Sequence, residues 1–175
     1  MMRRLSLILV ALVGLSAVPA AAPSSSTGTA ADAKKLTLIV ISRTRVQTPH
    51  DLKPKGKPNR GDWIHYQALL LAVKKVPGSK TYQAGDPVAW EEGRQTFLSA
   101  TETRLKGTAH FPGKGTISFN GMMVTQKNGV ITVKVVGGTG KFYGARGVLT
   151  IASDENNEVD SVNIYRLTLG EPGVA

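Results

Sequence analysis

From residue 34 onward the chain is cut into short, β-branched runs by glycine, proline and an Asn-Gly pair, and this punctuation restricts its fold more than any other feature. Short apolar runs between turn signals fit strands, whereas an amphipathic helix needs a sustained 3.6-residue repeat, and none stands out here. Strands are predicted over 36–46, 62–73, 115–125, 130–136, 147–152 and 159–169. In the second, Trp63, His65, Gln67 and Leu69 alternate with Ile64, Tyr66, Ala68 and Leu70, so the two sets face opposite sides of a sheet. In the third, Ile117, Phe119 and Met123 share a face, and in the fourth Val133 and Val135 oppose Thr132 and Lys134. Asn128-Gly129 predicts a tight hairpin, because both turn residues take positive φ. Residues 97–105 alternate weakly; Thr96, Thr101 and Thr103 favour strand over helix.

The gaps read as loops. Residues 47–61 hold three prolines and two glycines. Residues 77–93 hold Pro77, Gly78, Gly85, Pro87 and Gly93, which predicts a loop with one short extended piece. Ser153–Glu158 is a polar connection. Seven to nine short strands with glycine-rich turns imply an all-β fold, either a sandwich or a closed antiparallel β-barrel of about eight strands. Closure removes exposed edges, and about eight strands leave an interior wide enough for one small ligand.

The N-terminus follows different rules. Arg3 and Arg4 precede an apolar run from Leu5 to Val18, with Ala20, Ala21 and Ala22 behind it. That order predicts a secretory signal over 1–22, its apolar run shorter than the ~20 residues of a spanning helix. Residues 23–33, rich in Pro, Ser, Thr, Gly and Ala, read as a flexible tether, and 34–175 as the barrel domain. The expected location is therefore secreted or extracytoplasmic.

Composition removes several chemistries. The absence of cysteine excludes disulfides, a thiolate nucleophile and Cys-ligated zinc. His50, His65 and His110 lack metal-ligand spacing, so neither a metal nor any other cofactor is expected. The net charge of +10 invites a nucleic-acid reading. Two of the basic residues belong to the leader, however, and no recognition motif is present, so no nucleic-acid partner is expected. Much of the remaining charge stands before residue 61, in Lys34, Lys35, Arg43, Arg45, Lys53, Lys55, Lys57 and Arg60. A basic loop of this kind could contact polyanions or envelope surfaces.

The segment from Val135 to Gly147 (VVGGTGKFYGARG) is the most distinctive in the chain. It is not a P-loop, since Phe142 rather than Ser or Thr follows Lys141. It is not a dinucleotide fingerprint, since Tyr143 occupies the third glycine position and no helix follows. Locally it is a glycine-rich corner between two strands. This corner resembles that of dirigent proteins and of the related allene oxide cyclase barrels. Gly61-Asp62, Pro112–Ile117 and Asn163-Ile164-Tyr165 add to the likeness, which spans most of residues 36–169. The resemblance implies an eight-stranded antiparallel barrel with a mostly apolar cavity, and relatives that tend to form homo-oligomers. Dirigent proteins steer phenoxy-radical coupling, and allene oxide cyclases close a reactive fatty-acid epoxide into one ring enantiomer. Departures are also present: Lys141 stands where dirigent proteins tend to carry an acid, Ile41-Ser42-Arg43 replaces their His-Asp pair, and the plant cyclases' cavity cysteine has no counterpart. Arg146 matches the arginine of the Ala-Arg-Gly motif.

The candidate catalytic residues are Asp62, a carboxylate at a strand start, and Arg146, whose guanidinium could clamp an anionic or phenolic group. The reading opposed to these is a turn residue and a corner salt bridge. Tyr66, Tyr143, Tyr165 and Trp63 are the candidate ligand-binding residues; ordinary barrel packing is the opposing reading. Glu91-Glu92 would form a glycosidase pair only if both faced one cleft. The expected function is a secreted barrel that binds a small apolar or phenolic ligand in its central cavity. If it is catalytic, the expected reaction is isomerase- or cyclase-like: a cyclisation, an isomerisation or a stereoselective coupling. The alternative is a non-catalytic extracellular module for polyanions or envelope surfaces.

Overall fold

The computed structural model describes residues 33–51, 58–75, 82–99, 101–125, 129–154 and 157–170. The predicted leader, nearly all of the tether, Asn128 and the basic-loop residues Lys53, Lys55 and Lys57 lie outside these residues. The fold is a closed antiparallel barrel. Its strands are β1 (Lys35–His50), β2 (Trp63–Lys75), β3 (Tyr82–Phe97), β4 (Thr103–Phe111), β5 (Gly115–Met122), β6 (Val124–Thr125), β7 (Ile131–Gly138), β8 (Arg146–Asp154) and β9 (Asn157–Thr168). They run in the order β5-β4-β3-β2-β1-β9-β8-β7-β6, and β5 pairs with β7 to close the ring. The two-residue β6 extends the β5 side of that seam against Val124↔Thr132 and Thr125↔Ile131, so eight long strands make the wall.

Alternation sends every second side chain inward. Leu70, Ile117, Phe119, Val133, Val135, Leu149 and Tyr165 are all at most 2% exposed and belong to one cluster. Each large apolar side chain buried in this way contributes roughly 1.5–3 kcal/mol. The middle of the barrel is thus a packed core.

The glycine-rich segment is a corner, as its composition predicts. Gly140 has φ +58, and a Cβ there would lie 2.5 Å from the carbonyl of Lys114. Thr139 N–H donates to Thr116 O at 3.0 Å and Lys141 N–H to Lys114 O at 2.7 Å, which ties the corner to the β4–β5 turn. A short 3₁₀ turn, Gly140–Phe142, then drops Phe142 onto the end of the barrel, its ring 5.1 Å from Phe111. We call this the corner end; the opposite end carries the β1–β2, β3–β4 and β8–β9 connections.

Four expectations are corrected. Residues 77–93 are not mainly loop, since β3 runs unbroken from Tyr82 to Phe97. Its Pro87 is accommodated because β4 pairs with β3 only from Trp90 onward, leaving that stretch as an edge, with register shifts around Leu71 absorbing the irregularity. Residues 97–105 are not one strand: Phe97 ends β3, Leu98 N–H bonds Glu102 O, and β4 starts at Thr103. Residues 47–50 continue β1 past a bulge between Thr44 and Val46, rather than opening the loop. The β8–β9 turn is also tighter than the polar stretch suggested, with Asp154 paired to Asn157.

Candidate functional site

The inward face of β3 reads Ala89, Glu91, Gly93, and its outward face Trp90, Glu92, Arg94. Glu91 therefore points into the barrel and is 3% exposed. Two phenols satisfy it. Tyr66 Oη, from neighbouring β2, donates to Oε1 at 2.9 Å. Tyr165 Oη, from β9, donates to Oε2 at 2.7 Å. Tyr165 itself is fully buried, and beside it Asn163 is 2% exposed and accepts from Ser161 Oγ at 3.1 Å. A polar strand of Ser161, Asn163, Tyr165, Glu91 and Tyr66 thus crosses an otherwise apolar interior.

Small residues make the room. Gly93 lies opposite Tyr66 in the β2–β3 ladder, and a Cβ on it would sit 2.7 Å from Tyr66 Oη. Its β4 partner Gly107 makes space for Phe119 in the same way, where a Cβ would lie 2.5 Å from Phe119 Cζ. Ala68 and Ala109 flank Glu91 on either strand.

Burial sets the electrostatics. It pushes the Glu91 carboxyl above its ordinary value, and the bonds from Tyr165 and Tyr66 oppose that rise without cancelling it. Burial, reinforced by the Glu91 charge, holds the Tyr165 and Tyr66 hydroxyls well above the usual phenol range; the Asn163 bond works the other way on Tyr165. The centre is a buried carboxyl that holds its proton more tightly than it would in water, bonded by two phenols. Such a group can donate a proton to a developing oxyanion, or accept one from an acidic C–H or O–H, with two donors ready to stabilise the carboxylate form.

The residues named from sequence fall in several places. Tyr66 and Tyr165 are brought together at Glu91. Asp62 is 2% exposed but closes a turn: its Oδ2 accepts from Asn59 N–H at 2.6 Å, and its carbonyl from Phe97 N–H at 2.9 Å. Arg146 is exposed at the corner end, where Nη1 donates to the carbonyls of Val136 and Ala145. Asp62 and Arg146 therefore stand at opposite ends of the barrel. Tyr143 is 50% exposed beside Arg146. Trp63 lies on the outer wall, stacked on His50 with ring centroids 3.6 Å apart and with the Arg94 guanidinium 5.1 Å from its centroid. Glu91 and Glu92 face opposite sides of one strand, so they are not a glycosidase pair.

Glu91 was the site residue that sequence reasoning underrated. Its signal was a carboxylate alternating with Ala and Gly, hidden because Gly85, Pro87 and Gly93 made the whole stretch look like loop.

Two depressions mark the described residues. One, of about 590 Å³, is a polar groove on the outer wall of β2–β5. The other, of about 230 Å³, opens at the corner end among Leu38, Val40, Ala72, Phe111 and Phe142, with Lys114 at its edge. Neither is lined by Glu91, and the smaller is an apolar opening at the barrel's end.

No protein-family model matches the sequence, and no curated protein matches it. Solved structures do. Pyocyanin demethylase superposes with a TM-score of 0.57 at 20% identity, covering 75% of this chain and 99% of the other. The pterocarpan synthase dirigent protein GePTS1 gives 0.58 at 19% identity over 83% of this chain and 92% of its own. The Diels-Alderase AbmU of Streptomyces koyangensis gives 0.59 at 14% identity over 82% and 72%. The chain shares the closed β-barrel fold of these proteins.

Proposed function

We propose that this protein is a small-molecule barrel in which Glu91, held between Tyr66 and Tyr165, positions an apolar or phenolic organic ligand and exchanges a proton with it. The observation that supports this most is the Glu91 carboxyl itself. A carboxylate buried in an apolar core is costly unless it is well bonded. Here both oxygens are met by phenols from different strands. Proteins of the same fold support the reading by what they are: pterocarpan synthase dirigent proteins, a Diels-Alderase, and a cyclase that catalyses a [4 + 2] cycloaddition.

In this reading the ligand enters through the opening at the corner end, and Phe142, Phe111 and Leu70, which fill the interior in its absence, move aside for it. The apolar walls hold it in one conformer, which removes part of the entropic barrier to ring closure or coupling. Glu91 gives its proton to the oxygen on which negative charge develops. Tyr66 and Tyr165 then donate to the carboxylate left behind, and a later transfer from product restores the acid. The leader over 1–22 and the tether behind it favour export, so the ligand would be met outside the cytoplasm.

Fluorescence titration with 2-naphthol, an apolar phenol, tests the reading. Saturable binding is expected, weakened about tenfold or more by Glu91→Gln or Tyr165→Phe, a loss of ~1.4 kcal/mol per tenfold. The exposed Tyr143→Phe variant should bind as the parent does. Binding equal in all four proteins, or none in the parent, would refute it.

A further inference from the structure

The larger depression has no part in that chemistry. It lies on the outer wall, and its residues fall into rows set by the strand register. His65 (β2), Arg94 (β3), Lys106 (β4) and Asn120 (β5) are successive cross-strand partners, so they form one row across four strands. Thr96 and Arg104 are partners in the next row. All six line the groove. Arg94 and Lys106 thus stand directly opposite each other, and Arg104 lies two residues from Lys106 on the same face. Like charges directly opposite in a ladder oppose its formation. Arg94, Arg104 and Lys106 are exposed, and none forms an ion pair with a described residue. Glu92 is the single acid of the groove, and its Oε1 lies 3.5 Å from His110 Nε2.

We propose that this groove is a binding site for an acidic polysaccharide, a chain carrying carboxylate or sulfate groups. Three cations held on adjacent strands match several anionic groups spaced along a polymer, rather than one small anion. Thr96, Thr108, Asn120 and His65 add the hydroxyl, amide and imidazole partners that sugar hydroxyls use. The groove is open to solvent, as a passing chain requires. Single-stranded nucleic acid fits less well, because it is gripped by aromatic faces on which bases stack. The aromatics of this wall, Trp63 and Trp90, already have His50 and His110 stacked on them, and Arg94 stands beside the Trp63 ring. The bound anion would also relieve the Arg94–Lys106 repulsion.

The test is binding of fluorescein-labelled alginate and dextran sulfate to the purified protein, with neutral dextran and a single-stranded DNA oligomer alongside. Both acidic polymers are expected to bind, to lose most of their affinity between ~10 mM and ~150 mM ionic strength, and to leave neutral dextran unbound. The double variant Arg104→Gln/Lys106→Gln, at exposed positions, should weaken alginate binding at least about tenfold, while the triple variant Lys53→Gln/Lys55→Gln/Lys57→Gln should retain it. Retained binding in the groove variant, loss confined to the loop variant, or DNA binding tighter than either polysaccharide would each overturn the assignment. The 2-naphthol test is scored on the Glu91 and Tyr165 variants and this one on the groove and loop variants, so the two outcomes are independent.

Discussion

Glu91 is a carboxyl buried inside the barrel and bonded by two phenols. The side chains around it are apolar or phenolic, so its proton is held more tightly than in water. Between the ordinary carboxyl value of 4.5 and the raised value in the fold, the folded chain keeps a proton that the unfolded chain releases. The associated stability is complete below about pH 4.5 and is lost as pH rises through the folded value. Glu91→Gln has no proton to release at this position. Urea unfolding from about pH 4 to about pH 8 should therefore show a decline in the parent that is missing from the variant. Parallel curves for the two proteins would mean that Glu91 titrates as if it were in water. Tyr66 and Tyr165 were legible in the sequence as cavity-facing candidates, because alternation fixed the face of one and the Asn-Ile-Tyr likeness marked the other. Asp62 and Arg146 looked equally good. A carboxylate at a strand start and an arginine at a corner have the same sequence signature whether they serve a ligand or the local backbone. In the structure the Asp62 carboxylate accepts from Asn59 N–H, and the Arg146 guanidinium donates to the Val136 carbonyl.

Among the elements, β3 holds the most information and was the hardest to read. Strands β2, β5, β7, β8 and β9 announced themselves through alternation and β-branched residues. In β3 the glycines and proline that usually mark loops have other work: Pro87 sits on an edge, and Gly93 clears space for the Tyr66 ring. That geometry gives a prediction. In Gly93→Ala the new Cβ collides with Tyr66 Oη and with the Lys106 carbonyl, both 2.7 Å away. Overpacking of this kind costs about 1–3 kcal/mol. Tyr66 must also swing off Glu91, so the variant should lose the hydrogen bond to Oε1. Chemical denaturation reads the first effect, and the hydroxyl stretch of Tyr66 in a Tyr165→Phe background reads the second. Full stability with Tyr66 still bonded would show that the β2–β3 wall yields more than a packed barrel should. On the far side of β1, the Arg43 guanidinium grips Asp160 through Nε at 2.9 Å and Nη2 at 2.8 Å, fixing the β1–β9 register that carries Tyr165 inward.

At the scale of the molecule, closure itself was legible, because many short strands with glycine turns have few ways to hide their edges. The contents of the barrel were not. Sequence predicted a central cavity, and the structure fills the centre with Tyr165, Phe119, Leu70 and Ile117 while leaving its apolar opening at the corner end. Alternation tells which side chains point inward but not whether together they fill the space. The two proposals rest on separate surfaces: the apolar opening at the corner end, and the basic groove on the outer wall of β2–β5. The central claim is that a small organic molecule reaches Glu91 inside this barrel. A crystal structure of the protein soaked with 2-naphthol tests it most directly. The account predicts the naphthol oxygen within hydrogen-bond distance of the Glu91 carboxyl, with the rings against Leu70 and Phe111; an interior closed by its own side chains, with naphthol absent or bound only on the outer wall, would contradict it.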